Sequence, residues 1–182
     1  MKLVKLLGVA FLCTYLWGCA SGAKMQNMVY QGDQKEYSEE IQNNLNLGEV
    51  AGGKKTNPAW TSQIGNESFA GAVKESLKLQ GLYSETGKYR LEVQMLKVEQ
   101  PFIGIDFKVT THVQYKLINI ATGDVVFDET IVAPYTAGFG DAVIAATRLR
   151  LANEGSGKEN IAGLLSKLSE LNIGSEEVSL HQ

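Results

Sequence analysis

The groups able to do acid, base or nucleophilic chemistry are few in this chain. Its two histidines are His112 and His181, and its two cysteines are Cys13 and Cys19. With no Gly-x-Ser-x-Gly turn, a serine or cysteine triad has little to build on. His112 falls among Lys108, Thr110, Gln114 and Lys116, an alternation that reads as the wet face of a strand, where a histidine is an ordinary surface residue. Two histidines cannot fill a usual zinc site unless carboxylates complete it, and none stands at a matching helical spacing. The pairs Glu39-Glu40 and Glu176-Glu177 lie in polar segments, whereas acid–base catalysis needs burial to move a carboxyl pKa. Gly155-Ser156-Gly157-Lys158 looks like the end of a phosphate-binding loop. However, Ala152 occupies the position of the required first glycine, and Glu159 follows the lysine where a hydroxyl is needed. There is no internal repeat. The expectation is no catalytic residue, no metal site and no cofactor, and therefore no enzyme.

One residue does carry assignable chemistry. Lys2 and Lys5 precede an apolar run from Leu6 to Leu16, which ends at Trp17-Gly18-Cys19. A charged start, an apolar middle and a small residue before the cysteine are the layout of a secretion signal. The run is about eleven residues, whereas a membrane-spanning helix needs roughly twenty. Leu16, Gly18 and Cys19 resemble the lipobox of bacterial lipoproteins, with Trp17 at a position that is usually small. That resemblance implies removal of residues 1–18, a diacylglycerol thioether on Cys19 and an acylated amine. Two or more acyl chains hold a protein durably to a bilayer where one does so only marginally. Ala20 follows the cysteine, and under the sorting rule of enteric bacteria a residue other than Asp there implies the outer membrane. The expected location is its inner leaflet, facing the periplasm.

What remains is about 160 residues, the size of one domain with a real core. Losing Lys2 and Lys5 leaves 15 basic against 20 acidic residues, so the formal charge moves from −3 to about −5. That balance argues against nucleic acid or an anionic membrane surface as an electrostatic partner. With Cys13 removed and Cys19 acylated there is neither disulfide nor free thiol, so stability must come from packing.

The elements follow from spacing. Residues 19–44 are polar and acidic and read as a tether, within which Met25, Met28, Val29 and Tyr30 could dock or form a short strand. Residues 45–50 alternate as a short strand before Gly52-Gly53 and Asn57-Pro58, and Trp60 is either a core plug or an exposed contact. Asn66 can cap a helix carrying Phe69, Ala72, Val73 and Leu77 on one face, with Gly81 as its stop. Tyr89, Leu91, Val93 and Met95 define a strand that Gln100-Pro101 ends. Ile103, Ile105, Phe107, Val109, Thr111, Val113, Tyr115 and Leu117 then share one face of a second strand. At about 3.3 Å per residue it would run roughly 50 Å, so Gly104 or a bulge is expected to bend it. Thr122-Gly123-Asp124 turns the chain into a returning strand from Val125 to Pro134. Asp141 is a candidate cap for a helical stripe through Leu171, interrupted at Gly155-Ser156-Gly157 into either one kinked helix or two. Residues 174–182 read as a flexible tail.

The order predicts a two-layer α+β domain over residues 45–173, a mainly antiparallel sheet of about four strands with two main helices (β-α-β-β-β-α) on one face. Phe69-Ala-Gly-Ala-Val-Lys-Glu-Ser-Leu, Gly81-Leu82-Tyr83, Tyr89-Arg-Leu-Glu-Val, Tyr115-Lys-Leu, Thr122-Gly-Asp-Val-Val and the final alanine-rich helix resemble small Gram-negative envelope lipoproteins. These are the auxiliary lipoproteins of lipid ABC transporters, the lipopolysaccharide-assembly lipoprotein and lipoprotein activators of peptidoglycan synthases. The resemblance implies a binding or accessory role toward an envelope protein or lipid, with a ligand-binding accessory of a transport system as the alternative. It assigns no functional residue. Two segments are candidate partner contacts on their own chemistry: Phe102-Ile103, which is otherwise core, and Arg148 with Arg150, which otherwise form a solvated helix face.

Overall fold

The computed structural model describes residues 20–58, 61–171 and 173. The leader, Cys19, Trp60 and the tail with His181 lie outside the described residues. Four strands, β1 (Leu45–Ala51), β2 (Tyr89–Glu99), β3 (Phe107–Asn119) and β4 (Val125–Ala137), form one sheet in the order β1-β2-β3-β4. β1 and β2 are parallel and the other pairs antiparallel, so helix α2 (Asn66–Leu79) is the crossover that a parallel pair requires. Helix α3 (Ala145–Glu170) follows β4, and a single turn, α1 (Met25–Met28), precedes β1. The fold is the expected α+β class.

Period-two alternation sets the sheet's faces. Leu91, Val93 and Met95 of β2 and Val113, Tyr115 and Leu117 of β3 are buried against Phe69, Val73 and Leu77 of α2 and Ile161, Leu164 and Leu168 of α3. α2 ends as a Schellman motif: Gly81, at φ +67°, donates to the Lys78 carbonyl, and Leu82 donates to that of Leu77. Its start departs from expectation. The cap position is Gly65, and the Asn66 carboxamide oxygen instead accepts the Gly53 N–H at 2.6 Å.

Three further expectations are corrected. β3 begins at Phe107, not Ile103, because β2 ends at Glu99 opposite Thr110 and β4 ends at Ala137 opposite Phe107, which leaves residues 103–106 without a ladder partner on either side. β4 continues past Pro134 to Ala137; it is an edge strand, where a residue lacking N–H is tolerated. α3 is continuous through Gly155-Ser156-Gly157 and starts after Asp141, whose carboxylate accepts the Gly138 N–H at 2.7 Å. Its glycines are there for proximity. A Cβ on Gly155 would enter the Tyr135 ring, and one on Gly157 would sit 2.8 Å from Met28 Sδ.

The polar tether is also corrected. Residues 20–44 lie on the body as a strap, with Met28 and Ile41 fully buried and Val29 and Tyr37 nearly so. Tyr30 N–H donates to Ser76 Oγ, and both Lys35 N–H and the Tyr37 hydroxyl donate to Gln80 Oε1. The docking segment Met25–Tyr30 is part of this strap. Four well-spaced apolar side chains suffice because α2 presents polar groups to the intervening backbone.

A candidate contact surface at the loop end of the sheet

β2 and β3 are joined by residues 100–106, and β4 and α3 by residues 138–144. Because Phe107 pairs with Ala137, the two loops leave the sheet at the same end. A small cluster of Phe107, Val109, Ala137, Leu149 and Ala152 fills the space beneath them. Asp106 Oδ1 accepts the Phe139 N–H at 3.2 Å, tying one loop to the other. Arg148, 5% exposed, donates through Nη1 to the Ala142 and Val143 carbonyls at 2.7 Å each. Its guanidinium lies 5.5 Å from the Phe107 ring centre and 5.4 Å from that of Phe139, within cation–π range. Every charged group in this arrangement is turned onto the loops' own backbone or rings.

The apolar groups are turned the other way. Phe102 is 97% exposed, Ile103 81%, and Ile105, Phe139, Val143 and Ile144 are all more than half exposed. Residues 101–105 and 142–146 contain no charged side chain. Phe102 and Ile103 thus form an exposed apolar tip and not core. Sequence reading missed Phe139, Val143 and Ile144, and placed Ile105 on the buried face of β3. The uncharged run Ala142–Ala146 behind Gly138-Phe139-Gly140 was the available signal, and it was absorbed into a helix that in fact starts later.

Arg148 and Arg150 are neither a solvated face nor a free contact. Arg150 Nη1 reaches Glu154 Oε1 at 2.9 Å, and Glu154, only 2% exposed, also accepts Lys24 N–H at 2.9 Å and Asn27 Nδ2 at 2.8 Å. A buried carboxylate requires such compensation, so Arg150 is committed to it. The same junction anchors the start of the strap. Gln100 Nε2, next to the exposed loop, donates to Asn153 Oδ1 at 2.6 Å and to the Ser62 carbonyl at 3.1 Å. Gln63, one residue on, accepts at its carbonyl the Ala23 N–H (2.9 Å), and Ala20 N–H donates to the Pro58 carbonyl at 2.8 Å. Ala20, the residue after Cys19, is therefore fixed at the loop end.

Elsewhere among the described residues exposed apolar side chains are scattered, at Leu79, Leu96, Ile120, Val125 and Val132, and the grooves are open. An open groove of about 510 Å³ between α3 and β4 is lined by Tyr135, Asp141, Leu151, Glu154 and Lys158 among others. Another, of about 250 Å³, crosses the outer sheet face between Glu92, Gln94, Gln114 and Lys116. His112 stands on that face with Nε2 3.7 Å from Glu99 Oε1, and the Lys97 hydrogen bond holds the Glu99 carboxyl below its ordinary value. Among the described residues no three His, Cys, Asp or Glu side chains converge on a common point, and no helix is long and apolar enough to cross a membrane.

The arrangement defines a two-layer α+β body with a bound N-terminal strap and an apolar loop end. Comparison of the sequence finds no matching family model and no matching curated protein. Solved structures share the fold. A DUF330 protein from Xanthomonas campestris superposes with a TM-score of 0.52 at 13% identity, over 86% of this chain and 89% of its own. The PelC dodecamer from Paraburkholderia phytofirmans gives a TM-score of 0.52 at 16% identity, over 75% of this chain and 96% of its own. At these identities the likeness is one of fold.

Proposed function

We propose that this is a lipid-anchored envelope lipoprotein with a non-catalytic binding or accessory role, and that its loop end is the surface through which it acts. The carrying observation is the Ala20 N–H bond to the Pro58 carbonyl on the side of the exposed loops, where six apolar side chains cluster, which supports an anchor entering the body from that end. An acyl-bearing Cys19 at that point would hold the domain close to the membrane with a defined face toward it. The interior that a ligand carrier would keep open is filled by Phe69, Tyr115, Leu117 and Leu164, all fully buried. Metabolic labelling with an alkyne fatty acid tests the reading. Wild type should take up label and remain with membranes, and Cys19→Ala should do neither. Label in both or in neither overturns it.

A further inference from the structure

We infer that the loop end is a bilayer-docking surface, with Phe102, Ile103 and Ile105 of one loop and Phe139, Val143 and Ile144 of the other entering the interfacial zone of a phospholipid leaflet. This rests on the lipid-anchor reading and names the partner of the same surface.

Three features point to lipid. First, the six side chains form two uncharged tips tied together by the Asp106–Phe139 bond and braced by Arg148, so they present a preset apolar surface, whereas the neighbouring groove between α3 and β4 is lined by Asp141, Glu154, Lys158 and Glu159 and does not match an apolar partner segment. Second, the charges within the two loops are engaged locally: Asp106 and Asp141 accept backbone N–H groups, and Arg148 is buried under the loop. Aromatic and branched aliphatic side chains without a basic ring are suited to apolar insertion more than to attraction by anionic headgroups, which agrees with the acidic net charge. Third, the undescribed N-terminal segment joins the body at Ala20, on this end, so acyl chains on Cys19 and the two tips would share a leaflet. An anchor alone leaves a domain free to tumble; added apolar contacts fix its orientation.

The purified full-length lipoprotein can be tested directly. With Cys13 removed alongside the leader and Cys19 acylated, Ile103→Cys offers a single thiol for the fluorophore NBD, and Thr122→Cys in the β3–β4 turn at the far end of the hairpin is the control. On vesicles of phosphatidylethanolamine and phosphatidylglycerol, the probe at 103 should brighten severalfold and be quenched by doxyl-labelled lipid, while the probe at 122 stays dim. Adding Val143→Asp should cut the response at 103 severalfold, without loss of the circular dichroism spectrum. If the protein floats with vesicles but the probe at 103 behaves like that at 122, docking is overturned and the anchor stands. A probe that responds only in native envelope membranes assigns the surface to a protein and also overturns docking. A wild type that neither carries acyl label nor floats removes both readings.

Discussion

Asn160 shows how single side chains hold the two layers in register. Its carboxamide nitrogen donates to the carbonyls of Thr111 in β3 (3.2 Å) and Ile131 in β4 (2.9 Å), and its oxygen accepts the Tyr115 hydroxyl at 2.8 Å. Ser156, one turn earlier, accepts the Thr111 N–H at 3.0 Å and donates to the Ala133 carbonyl at 2.7 Å. Burial pushes the Tyr115 phenol well above its ordinary pKa, so it remains a proton donor throughout the working range. Each buried group left without its partner costs about 1–3 kcal/mol. Asn160→Ala strands two carbonyls and a hydroxyl, and we expect it to lower unfolding free energy by about 3 kcal/mol, against about 1 kcal/mol for Tyr115→Phe. Urea titration followed by circular dichroism would measure both, and equal losses would argue that the network acts through Tyr115 alone. None of these contacts was legible beforehand. Serine and asparagine on a helical stripe carry no mark of the strand residues they will meet, and Thr111 was recognisable only as an inward position.

At the scale of elements, α3 is where pattern and packing part company. Glycine in a helix interior costs up to about 1 kcal/mol against alanine, which is why a break at Gly155-Ser156-Gly157 was the natural expectation. The helix runs on because these positions face Tyr135, Thr111 and Met28, and closeness there outweighs the local penalty. Gly157→Ala should therefore gain about 1 kcal/mol of helix propensity but lose about 1–3 kcal/mol to overpacking against the Met28 side chain. A lower urea midpoint than wild type is the expected net result, and a higher one would show that the Met28 side chain moves aside freely. β2 and the body of β3 were readable because alternation with one buried face determines which side chains turn inward. The same alternation misled at Ile103 and Ile105, since a strand needs a neighbour, and both β2 and β4 end before reaching them.

The whole molecule is clasped by its own N-terminal segment, and the clasp has a pH signature. The Tyr37 hydroxyl is pushed up to about 12, first by burial and then by the nearby Tyr30. An unfolded tyrosine ionises near 10. The raised value means that the folded state holds the proton more tightly; the contribution is complete below pH 10 and is lost as pH rises from 10 through about 12. Wild type should thus lose more stability over that window than Tyr37→Phe, in urea midpoints measured from pH 9 to 12, and parallel curves would refute the assignment. The class of the fold and the strand faces follow from periodicity and local chemistry, which the sequence by itself determined. Only the tertiary structure decided that the polar strap is bound, that Arg148 and Arg150 face inward and that six apolar residues from two loops share one exposed end. The physical reason is distance along the chain. Glu154 is 130 residues from Lys24, and Phe139 is 33 from Asp106. A neutralising partner or a neighbouring loop that far away leaves no periodic trace, so the same residues that look solvated or buried in sequence take the opposite role once the sheet brings their partners to them.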